Sequence, residues 1–269
     1  MKTNDLKVLF ALCGVSALAL GCIMPAKDGA PAASPGSAAS IGGGTAPPAG
    51  AAPAAAATGD PGDALANCET EGLIDDGEDG NNQNLPHGNR GGYWYTFRDK
   101  VGTTVEPTAG EEGGTFAMSP GGHNSQLAAR FHGKVGNGTI LFAGMGMNFI
   151  DPKGLYDASK ATGISFWAKR GENSTGRVRL KVPDANTDPE GGTCREANNE
   201  CFNDFGYDLN LTPEWRHYVF PWKTLRQLPG WGLRRPAITP SKIYGIQFQV
   251  NVPNANYDVY IDDLSFYCK

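Results

Sequence analysis

The sequence predicts an all-β domain, an antiparallel β-sandwich of jelly-roll type, carried behind a signal peptide and a disordered Ala/Pro/Gly linker. Three observations lead there. Segments in the second half of the chain alternate apolar and polar residues or are rich in β-branched and aromatic side chains. Turn formers cluster between them, as in K-R-G-E-N-S-T-G and P-N-A-N. No segment shows a helical period.

The first element is not part of the fold. Lys2 and Lys7 precede V-L-F-A-L-C-G-V-S-A-L-A-L, an apolar stretch long enough for a signal-peptide core and too short to span a bilayer. It ends in A-L-G-C. Small residues just before a cysteine resemble the bacterial lipobox, with Ala19 where that pattern most often has Leu. The resemblance implies removal of residues 1–21 and lipidation of Cys22. Ile23 follows where Asp would signal inner-membrane retention, so the expected location is the outer membrane or cell surface.

Residues 22–66 are nearly all Ala, Pro, Gly, Ser and Thr. Such a stretch offers too little large apolar surface to offset the entropy of ordering it. It reads as a disordered tether. A flexible coil of roughly 44 residues spans about 35–40 Å.

Residues 67–269 remain, roughly 203 residues, enough for one well-filled core. Of the chain's 6 cysteines, Cys13 lies in the expected signal and Cys22 would, by the lipobox resemblance, carry lipid. The remaining Cys68, Cys194, Cys201 and Cys268 can pair in three ways. Cys194 and Cys201 bracket the polar loop R-E-A-N-N-E and form a local staple, whereas Cys68 and Cys268 sit at the two extremities. The expected pairs are therefore Cys194–Cys201 and Cys68–Cys268. Zinc is disfavoured, because no C-x-x-C pair or histidine cluster accompanies them and export favours oxidation.

The clearest strands are 164–169, 177–182, 215–220, 246–250 and 257–266. Alternation assigns their faces. If Ile164, Phe166, Val178, Leu180, Val182, Ile246, Phe248 and Val250 enter the core, then Trp167, Lys169, Arg177, Arg179, Lys181, Gln247, Gln249 and Asn251 point away from it. An indole, guanidinium groups and carboxamides suit a sugar: a ring to stack on a pyranose, and planar donors and acceptors to meet paired hydroxyls. A polar outer face is also the norm for a sandwich.

The order of L-I-D-D-G-E-D-G, G-I-S-F-W-A-K, L-T-P-E-W-R-H-Y-V-F-P-W, S-K-I-Y-G-I-Q-F-Q-V and Y-D-V-Y-I-D-D-L-S-F-Y resembles galactose-binding-like jelly rolls. Among these the chain looks most like family 11 carbohydrate-binding modules and their relatives in bacterial surface lipoproteins, from about residue 72 to 267. The resemblance implies a polysaccharide cleft on the concave sheet, served by Trp167, Arg179, Gln247 and Gln249, with Tyr95 and Trp94 as additions. The cysteine-bearing insertion D-A-N-T-D-P-E-G-G-T-C-R-E-A-N-N-E-C departs from that pattern and would wall, narrow or block the cleft.

Related modules often hold a structural calcium between the first and last strands. The resemblance thus implies a structural Ca2+ on Glu78 and Asp263, with Asp75, Asp79 and Asp262 behind them, since calcium takes six to eight oxygens. On the residues alone, the same acids also read as a solvated turn around Gly77 and Gly80. Catalysis finds little support: no E-x-D-x-x-E motif is present, and His87, His123, His132 and His217 stand apart from any recognisable nucleophile. A net charge of −5 argues against a nucleic-acid surface. The expected function is a lipid-anchored, non-catalytic carbohydrate-binding module. The alternatives are a structural or protein-interaction domain and a polysaccharide lyase or hydrolase.

Overall fold

A computed structural model describes residues 67–269; the expected signal peptide of 1–21, the expected lipidation site Cys22 and the expected tether of 22–66 lie outside the described residues. Twelve strands are present among them: β1 (Leu73–Asp75), β2 (Trp94–Arg98), β3 (Thr104–Glu106), β4 (Ser119–Pro120), β5 (Leu127–Lys134), β6 (Ala143–Asn148), β7 (Gly163–Arg170), β8 (Arg177–Val182), β9 (Phe205–Asn210), β10 (Arg216–Pro221), β11 (Gly245–Val250) and β12 (Asn256–Tyr267). They form two sheets with antiparallel pairing throughout. One runs β10-β7-β12-β5-β3, with β1 added to β12 and β4 to β5; the other runs β2-β6-β11-β8-β9. Among the described residues no helix is long and apolar enough to cross a membrane.

The core lies between the sheets. All eight residues assigned inward from alternation are buried. Phe166 of β7 meets Phe248 of β11 edge to face at 5.0 Å, joining the two layers. Aromatic pairs of this kind contribute about 0.5–1.5 kcal/mol beyond the area they bury. The outward set divides, because alternation separates inside from outside but does not say which sheet a strand joins. Trp167 and Lys169 face out from the first sheet, whereas Arg179, Lys181, Gln247 and Gln249 face out from the second.

β12 is the spine of the first sheet. It pairs with β7 along one edge and with β5 and then β1 along the other. The change of partner falls at Asp262 and Asp263, where the register shifts and Asp263 adopts φ +48. Aspartate tolerates that left-handed conformation better than most residues, so the doubled acid marks a bulge.

The chain ends are tied as expected. Cys68 lies in a short helix, α1 (Cys68–Glu71), and pairs with Cys268, while Cys194 pairs with Cys201. Asn67 caps α1: its Oδ1 accepts from Glu69 N at 3.1 Å, and Glu71 Oε2 accepts from Asn67 N at 2.7 Å.

Candidate binding cleft

The outer face of the β2-β6-β11-β8-β9 sheet carries two rows of side chains that cross the strands. Strand register aligns Tyr95 with Gly146, Gly146 with Gln247, and Gln247 with Lys181. The neighbouring row aligns Phe97, Gly144, Gln249, Arg179 and Asp208. Glycine on β6 makes the floor possible. A Cβ at Gly146 would lie 2.7 Å from Tyr95 Oη, and one at Gly144 would lie 2.4 Å from Phe97 Cζ. The two rings of β2 therefore lie over β6 where side chains would otherwise stand.

The floor is polar and internally bonded. Gln247 Nε2 donates to Tyr95 Oη at 2.9 Å, and Lys181 Nζ donates to Gln249 Oε1 at 3.3 Å. Burial pushes the Tyr95 phenol up to about 12, so it keeps its proton and can donate it. Lys181 also pairs with Asp204 at 2.9 Å, and Asp204 Oδ1 is buried with no hydrogen-bond partner among the described residues. Arg179 is held by Asp208 Oδ1 at 2.9 Å and by the Arg226 carbonyl at 2.7 Å. Two cations thus face two carboxylates, and the floor is formally neutral.

Apolar walls rise at both edges of this sheet and enclose a cavity of about 550 Å³. Ile140, Leu141 and Phe142 stand beside β2 and β6; Phe202, Leu228 and Trp231 stand beside β8 and β9. The insertion that carries Cys194–Cys201 is part of the second wall and leaves the cleft open. Asn203 locks that wall: its Nδ2 donates to the carbonyls of Leu228 at 2.9 Å and Trp231 at 2.7 Å, and its Oδ1 accepts from Leu228 N at 2.9 Å.

Of the sequence-predicted sugar contacts, Arg179, Gln247, Gln249 and Tyr95 come together here. Trp94 and Trp167 do not. Trp94 is one residue from Tyr95 and so points inward: it is buried, stacks on Phe116 at 5.7 Å and donates from Nε1 to Asp75 Oδ2. Trp167 lies on the other sheet, its ring 3.6 Å from that of His123 and 5.2 Å from that of His217. Trp215 shares that face, with Lys169 Nζ 4.8 Å from its ring. Sequence reading missed Phe97, Phe142, Phe202 and Asp204. β2 was legible only as isolated aromatics, and the others sit in loops without a period.

The five acids expected to hold calcium do not fit it in this arrangement. Among the described residues no three His, Cys, Asp or Glu side chains gather as a metal-holding group. Instead, at least one oxygen of each of Glu78, Asp75, Asp79 and Asp262 accepts from a donor. Glu78 Oε1 accepts from Gln126 N at 3.1 Å and Leu127 N at 2.6 Å, and Asp262 Oδ2 accepts from His123 N at 2.6 Å and Ser125 Oγ at 2.9 Å. Asp79 caps Asn81, Asp263 faces His123 Nδ1 at 3.3 Å, and Asp75 accepts from Gly77 N and Trp94. Calcium needs a shell of acceptors. Here Glu78, in the turn after β1, and Asp262 of β12 clasp one turn, residues 122–127, through its own N–H and O–H groups.

The fold and the cleft define a class: a two-sheet antiparallel sandwich with an aromatic-walled, polar-floored groove on one sheet. No family model and no curated protein matches the chain. Among solved structures it is similar to a family 11 carbohydrate-binding module from Clostridium thermocellum in complex with a β-1,3-1,4-mixed-linked tetrasaccharide, at 16% identity and a TM-score of 0.47, covering 73% of this chain and 94% of that one. A family 30 module of a C. thermocellum cellulosomal cellulase aligns at 14% identity and a TM-score of 0.41, covering 70% and 97%. An agarase aligns at 10% identity and a TM-score of 0.42, covering 74% of this chain and 26% of the agarase. At these levels the likeness assigns no ligand.

Proposed function

We propose that this protein is a non-catalytic polysaccharide-binding protein, held at the outer membrane or cell surface by lipid on Cys22 and by the tether of 22–66. The observation that carries the reading is the pair of cross-strand rows. Tyr95, Gln247, Gln249 and Lys181 present phenol, carboxamide and ammonium groups across β2, β11 and β8, as donors and acceptors for the hydroxyls of a sugar chain. Apolar walls flank that floor, and pyranoses combine polar edges with apolar faces. The neutral floor favours an uncharged glycan over a uronic or sulfated one.

Binding without turnover follows from the same side chains. A glycosidase needs two carboxylates poised across the bond. In this cleft Asp204 is paired with Lys181 and Asp208 with Arg179, and Cys201 is locked in a disulfide. The test is affinity electrophoresis of the protein through gels containing mixed-linkage β-glucan, xylan, glucomannan or alginate. Retardation by a neutral polymer is expected. Retardation by alginate alone, or release of reducing sugar, would contradict the reading.

A further inference from the structure

The wall formed by residues 199–204 and 228–231 contains a residue whose conformation folding alone does not explain. Phe202 has φ +68, in the left-handed region where a Cβ crowds the neighbouring carbonyl. Every other non-glycine residue with positive φ among those described is an asparagine or an aspartate, the types that tolerate it. A bulky aromatic there is strained, and Phe202 remains 45% exposed, so burial returns little of the cost.

The strain is held from both sides. Phe202 N donates to the Thr187 carbonyl at 2.7 Å, and Cys201 before it is bonded to Cys194. Asn203 after it is buried and fastened to Leu228 and Trp231. Trp231 is itself 37% exposed and lines the same cleft. Gly232 makes the junction possible, because a Cβ there would lie 2.5 Å from Asn203 Cβ. One buried asparagine thus sets the position of both exposed rings.

We propose that Phe202 and Trp231 form an aromatic clasp at the cleft mouth, against which the C–H face of an equatorially substituted pyranose in the bound polysaccharide stacks. The clasp rests on the polysaccharide-binding reading of the cleft. It assigns the insertion a direct part in ligand contact, with backbone strain at Phe202 accepted in order to aim its ring.

The experiment compares the full-length chain with Phe202→Asn, Phe202→Gly and Trp231→Ala. Thermal midpoints are measured, together with affinity for whichever of mixed-linkage β-glucan, xylan or glucomannan retards the wild type. Asn and Gly both accept positive φ, so the Phe202 variants are expected to melt at or above the wild-type temperature while losing about three- to tenfold in affinity. Trp231→Ala is expected to lose affinity by a similar factor. Wild-type affinity in the Phe202 variants overturns the clasp, as does a fall in their melting temperature, which would make Phe202 a packing residue. A wild type retarded by no polymer overturns the polysaccharide reading, and the clasp with it.

Discussion

Asp75 shows how a residue that reads as a site can be structural. It is 2% exposed, and burial, against the hydrogen bonds from Trp94 and Gly77, pushes its carboxyl from an ordinary 3.8 up to about 6. The sign follows from linkage. A raised folded-state value means the folded protein prefers the protonated form, so the stabilisation is full below about pH 3.8 and is lost as pH rises through about 6. The loss amounts to roughly 3 kcal/mol. Asp75→Asn should therefore flatten the profile of unfolding free energy between about pH 4 and 6, on top of a uniform offset from the hydrogen bond it forfeits. Denaturant titrations across that range would show it. An unchanged slope would mean that Asp75 does not titrate there.

At the scale of elements, the two disulfides differ in what they constrain. Cys68–Cys268 closes a separation of 200 residues and ties α1 to the end of β12, whereas Cys194–Cys201 closes 7. Chain-entropy reasoning gives about 5 kcal/mol for the first and about 2 kcal/mol for the second. Removing Cys68–Cys268 by double alanine substitution should thus lower the melting temperature further, while removing Cys194–Cys201 should chiefly weaken glycan binding through the cleft wall. Equal thermal losses would contradict that division. The strands themselves were unevenly legible. Those with β-branched and aromatic alternation, β7, β8, β11 and β12, stand out in sequence, and their core residues were readable one by one. β6 was not, because A-G-M-G-M-N puts glycine where an outward side chain would reveal a strand. Those glycines are absent of side chains for the sake of Tyr95 and Phe97, so the feature that hides the strand is the one that shapes the floor. Trp167 was misplaced for a different reason: its parity is right, but sheet membership depends on long-range pairing that no local pattern records.

The whole molecule presents two different polar faces. The face of the β10-β7-β12-β5-β3 sheet covers its aromatics with its own groups: His123 stacks on Trp167, Lys169 lies 4.8 Å from the Trp215 ring and 4.7 Å from that of Tyr260, and Arg130 grips Asp258 at 2.8 and 3.0 Å. Cross-strand pairs of this kind stabilise a sheet by about 0.2–1 kcal/mol each. The opposite face leaves its rings open at a cavity. The turn of 122–127 is held by Glu78 and Asp262 through N–H and O–H donors, so chelation with EGTA should leave the melting temperature unchanged. A clear fall would restore the structural calcium. The most direct test of the central claim is affinity electrophoresis of the wild type beside Gln247→Ala and Trp167→Ala in one neutral glycan. The cleft account predicts that Trp167→Ala is retarded like the wild type and that Gln247→Ala migrates nearly free. Retardation lost in Trp167→Ala and kept in Gln247→Ala would place the binding surface on the other sheet.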